Sequence, residues 1–330
     1  MAERGMSFDI RVIGTGSALP RQVWTNEALI AAKGLESNDP WIRERTGITQ
    51  RYIVSEGETT FTLARDAVKE ALERAGVPAD KVGVLIVATC TPDLTFPSVA
   101  ALVHGDLKLA HGCVVLDVNA ACSGFVHGLA VARGLMLAGD AEYGVVVGAE
   151  TFSNLLDWND RTTCVLFGDG AGAVVLKKEN AAGKGVLAID MGADGTCAPQ
   201  LQSTGGVARG QVAGKVTMNG REVYKHAVRQ MGSKAEAEKL LAKAGLVIGD
   251  VDWIVPHQAN LRIIEASAAG VGAPMDKVVV TVDRHANTSA ATIPLALDVA
   301  VKDGRIKGGD VVMLQAFGAG FAWSGAVIKW

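Results

Sequence analysis

The two halves of this chain repeat one another, and this internal echo constrains the fold more than any other feature of the sequence. Ala75-Gly76-Val77 leads to Val82, Leu85 and Ile86, and Ala244-Gly245-Leu246 leads at identical spacing to Val251, Ile254 and Val255. Val114-Val115-Leu116-Asp117 ahead of Cys122 is matched by Val279-Val280-Thr281-Val282 ahead of Asn287. Phe167-Gly168-Asp169-Gly170 is matched by Phe317-Gly318-Ala319-Gly320, each before an apolar run. Three matches in one order outweigh chance similarity among apolar strands, and the period is too long for a solenoid. The pattern predicts an ancient duplication: two similar α/β halves, residues 1–177 and 178–330, divided near the polar stretch 177–185 and meeting face to face with a site between them.

A chain of 330 residues is long enough for such a duplicated core. Apolar residues make up 49% against 20% charged, and 39 glycines accompany only nine prolines, which suits compact α/β structure and excludes disorder. Thr60–Ala75 has Leu63, Ala64, Ala67, Val68, Ala71 and Leu72 at helical spacing and stops at Gly76 and Pro78. Short apolar runs at 82–88, 114–118, 143–148, 171–176, 251–255, 278–282 and 311–315 predict strands buried on both faces, separated by helices.

A net charge of −3 gives no electrostatic case for nucleic acid as a bulk partner. The five cysteines are scattered, form no CxxC pair and lie in apolar contexts, which predicts a reducing compartment, the cytoplasm, with no disulfide framework and no metal site. Residues 1–9 carry mixed charge without an apolar signal region, and no membrane-length apolar stretch is expected anywhere. Gly14-Thr15-Gly16 half-resembles a dinucleotide fingerprint but lacks its third glycine, so it reads as a turn and gives a nicotinamide dehydrogenase little support.

Cys122 lies in Asp117-Val-Asn-Ala-Ala-Cys-Ser-Gly124, between one predicted strand and the helix that starts near Phe125. A thiol there faces unpaired N–H groups and the positive end of a helix dipole, which predicts a lowered pKa and a thiolate nucleophile. Cys90, Cys113, Cys164 and Cys197 read as buried structural cysteines. His257, in Pro256-His-Gln-Ala-Asn260, follows a strand directly, and Asn287 occupies the place in the second half that Cys122 holds in the first. Taken singly, each is commonly a satisfied polar residue at a strand end. Together, with pseudo-symmetry bringing them to one place, they point to nucleophilic chemistry.

Cys122 in NAACSG, His257 in PHQAN and Asn287 in HANTSAA, followed by FGAGFAW, resemble the Cys-His-Asn triad of β-ketoacyl-ACP synthase III, which initiates type II fatty acid synthesis. The likeness extends to Thr15 through Pro20, Trp41-Ile-Arg-Glu-Arg-Thr-Gly47, Phe96-Pro-Ser98 and Phe167-Gly-Asp-Gly-Ala-Gly172. Elongating condensing enzymes use two histidines with the cysteine and thiolases a second cysteine near the C-terminus; neither pattern is present. The resemblance implies a thiolase-like fold with a layered αβαβα core, and decarboxylative condensation of an acyl-CoA, acetyl-CoA foremost, with malonyl-ACP through an acyl-cysteine. Oxyanions would be held by the backbone of Cys122 and Ala319. A neutral His257 and the Asn287 amide would both donate to the thioester oxygen.

The same resemblance implies that Trp41 stacks on the CoA adenine, that Arg45 and Arg161 meet its phosphates and that Asn260 meets the pantetheine arm. Lys225 and Arg262 would contact the acidic carrier protein, with Arg221 and Arg229 extending the patch. Phe96 would reach across a homodimer interface to close the partner's acyl pocket. No cofactor or metal is implied, since the CoA and carrier-protein thioesters are substrates, and no nucleic acid or membrane partner. Ala286 and Ala319 stand where the family usually has glycine. The rival readings are a type III polyketide or quinolone-type synthase using CoA-linked extenders, and a non-catalytic subunit that keeps the fold.

Overall fold

The computed structural model describes residues 9–180, 183–210 and 214–330. Residues 1–8 of the expected leaderless start, and 181–182 of the expected dividing stretch, lie outside the described residues. The first half contains strands β1 (Asp9–Ala18), β2 (Val82–Ala88), β3 (Val114–Val118), β4 (Tyr143–Glu150) and β5 (Gly170–Glu179), in spatial order β1-β5-β4-β2-β3. The second contains β6 (Gly185–Ala193), β7 (Trp253–Pro256), β8 (Val311–Gly318) and β9 (Ala322–Lys329), in order β6-β9-β8-β7. Directions correspond strand for strand: β1, β5 and β4 pair antiparallel as β6, β9 and β8 do, and β4–β2 is parallel like β8–β7.

The fifth position differs. The strand expected over 278–282 is reduced to one parallel bridge, Val278 to Ile254, and the chain turns at once into a short helix, Val282–His285. The side chain of Gln258 is the reason: its Oε1 accepts the backbone N–H groups of Thr281 and Val282, and its Nε2 donates to the Val279 carbonyl, so a side chain takes over hydrogen bonds a strand would make.

Each β2-type strand is entered the same way. Helix α1 (Thr60–Ala75) is capped by the Thr59 hydroxyl and ends at Gly76 with φ 65, and Gly245 has φ 70 at the matching place. Both are left-handed positions that glycine adopts freely. A one-turn helix then precedes the strand in each half, Ala79–Lys81 and Ile248–Asp250.

The layers follow from period-two burial. In β2, Val84 and Ile86 face the core between the two sheets, while Leu85 and Val87 face α1 and α2 (Val99–Leu107) on the outside. Helices α3 (Gly124–Ala138) and α7 (Thr292–Lys302) fill the space between the sheets. Helices α4 (Gly220–Met231), α5 (Lys234–Ala242) and α6 (Leu261–Val271) cover the far side of the second sheet. The order is αβαβα, as expected. The halves interlock, because α7 of the second half packs chiefly on β5 and β1 of the first.

Two expectations need correction. Gly14 and Gly16 lie within β1 itself, because α1 presses on them: a Cβ at Gly16 would stand 2.5 Å from the Ala67 carbonyl and one at Gly14 2.7 Å from the Ala75 methyl. And among the described residues Ala121–Ala138 is long and apolar enough to cross a membrane by length and composition. It is α3 with its entry turn, and Phe125, Val126, Leu129, Ala132 and Met136 bury its apolar face between the sheets.

Candidate active site

After β3, the Asn119 Oδ1 accepts the Ala121 N–H at 3.4 Å, Ala121 adopts φ 45, and a tight turn over Ala121–Ser123 feeds α3. The second half repeats the device: Asn287 Oδ1 accepts the Ser289 N–H at 2.8 Å, Ser289 adopts φ 51, and a turn over Ser289–Ala291 feeds α7. Asn287 therefore corresponds to Asn119, and Cys122 corresponds to Ala290. The expected equivalence of Asn287 with Cys122 was displaced by three residues. The bond from Ser289 also fixes the Asn287 amide, since its oxygen is engaged and its Nδ2 is left as a donor.

Cys122, His257 and Asn287 line one cavity of about 1030 Å³. They arrive from three places: the β3–α3 turn, the end of β7, and the turn before α7. Ala319, in the turn between β8 and β9, lines it too. Gly318 brings that turn against the nucleophile; a Cβ there would lie 2.8 Å from both Cys122 Cβ and Cys122 N. Among the described residues no turn, loop or side-chain hydrogen bond engages the amides of Cys122 or Ala319. Both residues line the cavity, and neither amide is committed to another residue there, the pattern an oxyanion hole requires. Ala286 holds φ 58 with ψ −162, a conformation glycine takes without strain, and its methyl is buried in the second-half core.

The electrostatics depart from expectation at Cys122. Burial pushes its thiol up to about 12, although Ser289 works to lower it, and the Glu150 carboxylate adds to the rise. Cys122 precedes α3 and is 7% exposed as a residue, so desolvation of a thiolate outweighs the helix terminus, and the resting residue is a neutral thiol. Burial also pulls His257 down to about 3, so its imidazole is neutral.

The imidazole's tautomer follows from its neighbours. The Thr292 hydroxyl donates to the Ser289 carbonyl at 2.9 Å, so it accepts from His257 Nδ1–H at 2.7 Å. Nε2 then carries a lone pair at rest. The expected donation from a neutral His257 belongs to the other tautomer, protonated at Nε2, in which Nδ1 is a lone pair that accepts from the Thr292 hydroxyl.

At the cavity's outer end the guanidinium carbons of Arg45 and Arg161 lie 4.6 and 5.2 Å from the Trp41 ring centre. Arg161 also donates to the Glu36 carbonyl and, unlike Trp41 and Arg45, does not line the cavity. Asn260 accepts the Ile263 N–H at 2.9 Å as the cap of α6 and lines the cavity, and Arg262 is exposed at the same rim. Lys225, on neighbouring α4, is exposed and pairs with Glu222 at 3.8 Å, outside the cavity; Arg221 and Arg229 are exposed on that helix. Phe96 is 83% exposed and does not line this chain's cavity.

All five cysteines are unpaired, but of those expected to be buried only Cys164 is; Cys90 lines the cavity and contacts Glu150. The residues missed in the sequence are Glu150, Ser289 and Thr292. One signal was available: Glu150 is a lone carboxylate closing an apolar strand.

The family described as 3-oxoacyl-[acyl-carrier-protein (ACP)] synthase III matches residues 116–195, and its C-terminal model matches 241–330. A β-ketoacyl-[acyl-carrier-protein] synthase III from Rhizorhabdus wittichii is 52% identical over 97% of this chain and 98% of its own. Among solved structures, 3-oxoacyl-[acyl-carrier-protein] synthase III from Aquifex aeolicus is 41% identical, with TM-score 0.90 over 98% of this chain and 100% of that one. The priming β-ketosynthase of the R1128 polyketide pathway is 32% identical, with TM-score 0.90 over 97% of this chain and 95% of its own.

Proposed function

This chain belongs to the 3-oxoacyl-[acyl-carrier-protein] synthase III family, and from that premise we propose how its residues condense an acyl-CoA with malonyl-ACP, the acyl transfer that initiates fatty acid synthesis. The observation that carries this reading is the convergence of Cys122, His257 and Asn287 on one cavity beside two uncommitted amides.

Cys122 attacks the thioester of the primer, acetyl-CoA foremost, and the resulting oxyanion sits against the amides of Cys122 and Ala319. Such donors contribute on the order of 3 kcal/mol each. CoA leaves and an acyl-cysteine remains. Malonyl-ACP then enters and loses carbon dioxide. Its enolate oxygen is held by Asn287 Nδ2 and by His257 Nε2–H, in the tautomer whose Nδ1 accepts from Thr292, and the enolate carbon attacks the acyl-cysteine. Trp41, Arg45 and Arg161 form a cationic, aromatic rim suited to an adenine and phosphates, with Asn260 beside the pantetheine arm. Lys225 and Arg262 present positive charge for the acidic carrier protein. The exposure of Phe96 supports its insertion into a second copy of this chain. The reaction, run in the cytoplasm, uses only thioester substrates.

A type III polyketide reading is not favoured by the relatives named above, and supplying malonyl-CoA in place of malonyl-ACP separates the two. The primary test is intact mass after incubation with a panel of acyl-CoAs. Wild type is expected to gain one acyl group and Cys122→Ala none; a wild-type protein left unmodified by every primer would overturn the assignment.

A further inference from the structure

One ionisable group in this site has no part in the steps above. Glu150 ends β4 with 0% exposure. Its carboxylate accepts from Thr91 Oγ1 at 2.5 Å, from the Cys90 N–H at 3.2 Å, and from Thr89 Oγ1 and Cys90 Sγ at 3.3 Å. Among the described residues no lysine, arginine or histidine pairs with it. A buried carboxylate without a cation is costly to keep, so its place behind the nucleophile calls for a use. Ser289 opens the turn Ser289–Ala291, which packs both on the Ala121–Ser123 turn that carries Cys122 and on β4, which ends at Glu150. Its hydroxyl is fully buried and has no hydrogen-bond partner of standard geometry.

We propose that Glu150, acting through the Ser289 hydroxyl, takes the Cys122 proton as the thiol attacks the primer and returns it when the thiolate is released. The inference rests on Cys122 being the acylated nucleophile. In the first half-reaction the S–H bond breaks, Ser289 Oγ receives that proton and passes its own to Glu150, the S–C bond forms, and CoA departs as the thiolate. In the second, the enolate forms the C–C bond, the S–C bond breaks, and the Cys122 sulfur recovers the proton from Glu150 by the same route. The departing CoA thiolate takes its proton from water, and that is the one proton the overall decarboxylative condensation consumes.

Charge and burial favour this acceptor over His257. The transfer moves one negative charge from carboxylate to sulfur without creating a second, so the desolvation that holds the thiol at about 12 is largely common to both states. Burial raises Glu150 and makes it a stronger base, whereas it pulls His257 down to about 3 and makes it a weaker one. Cys90, the other ionisable group against Glu150, is pushed well above the ordinary thiol range by burial and stays protonated.

The test is rapid-quench acylation with acetyl-CoA, read as intact mass, for wild type, Glu150→Gln and Ser289→Ala, with Cys122→Ala as blank. Glu150→Gln keeps the size and most hydrogen bonds of the side chain and is expected to slow acylation about 100-fold or more, the usual contribution of a positioned base; Ser289→Ala is expected to slow it about tenfold or more. The pH profile of iodoacetamide alkylation at Cys122, located by peptide mass, gives a readout a structural role would not move. Wild type should show a rise governed by Glu150 that Glu150→Gln lacks. Acylation at the wild-type rate in folded Glu150→Gln, or an unchanged alkylation profile, overturns the relay. If Glu150→Gln does not fold, Ser289→Ala decides by the same criteria. Wild-type protein that takes no acyl group overturns the underlying reading of Cys122 instead.

Discussion

Thr292 Oγ1 stands 2.7 Å from His257 Nδ1 and 2.9 Å from the Ser289 carbonyl, so one hydroxyl ties the histidine at the end of β7 to the turn beside the nucleophile. Thr292→Val keeps the shape and removes the hydroxyl. An unpaired buried N–H costs about 1–3 kcal/mol, and the ring loses the partner that sets its tautomer. Decarboxylation, measured as carbon dioxide released from malonyl-ACP on pre-acylated protein, is expected to fall roughly tenfold or more, while loading of Cys122 changes little.

Asn287 separates two jobs that are easily confused. Its oxygen accepts the Ser289 N–H at 2.8 Å, its nitrogen is the remaining donor, and the residue lines the cavity, so Asn287→Asp preserves the turn and deletes the donor. Loss of one such donor typically costs about 100- to 1000-fold. Carbon dioxide release should drop by that order, with acyl-enzyme accumulating at full mass.

At Gly318 the constraint is steric. A methyl there meets Cys122 Cβ and the Cys122 backbone N at 2.8 Å, and a Cβ fixed to its backbone can swing aside no more than the N can. Gly318→Ala is expected to destabilise the fold by about 1–3 kcal/mol through overpacking, and to abolish acylation by displacing the sulfur. Thermal unfolding and intact mass test the two effects separately.

Acid stability carries a signature of the buried imidazoles. His257 is held at about 3 and His285 at about 4 in the folded protein, both by burial, against an ordinary value of 6.5. Between these limits the unfolded chain binds protons that the folded chain does not, so each contributes stability that is lost as pH falls below 6.5. Asp169, raised by burial to about 6 from 3.8, acts in the opposite sense, its contribution being lost as pH rises through that interval. His285→Asn should flatten the acid side of the stability curve, removing a slope of up to about 1.4 kcal/mol per pH unit. Urea unfolding across pH 4 to 6.5 measures it; an unaltered slope would count against neutral burial of that ring.

The layered fold and the convergence of Cys122, His257 and Asn287 on one cavity were legible because both are written in short local patterns: apolar runs with period-two burial, and three polar residues at the ends of such runs. The strand expected over 278–282 failed because Gln258, 20 or more residues earlier in the chain, satisfies that backbone from the side. The thiol's rise to about 12 was hidden because helix position is visible in sequence and desolvation is not. Glu150, Ser289 and Thr292 converge only in space, from the end of one strand and one tight turn with the helix it starts. Gly14 and Gly16 read as a turn because the helix that requires their bareness lies some 50 residues away in the sequence.

Helix α7 has a further consequence. It is encoded by the second half yet spends most of its apolar surface on β5 and β1 of the first. Duplication here did not leave two separable copies. A chain severed between the halves would yield fragments each with a bare sheet face, inert apart and prone to cling to whatever apolar surface they met. Mixing them should restore acyl transfer only as they recombine, which makes catalysis itself a reporter of fragment complementation.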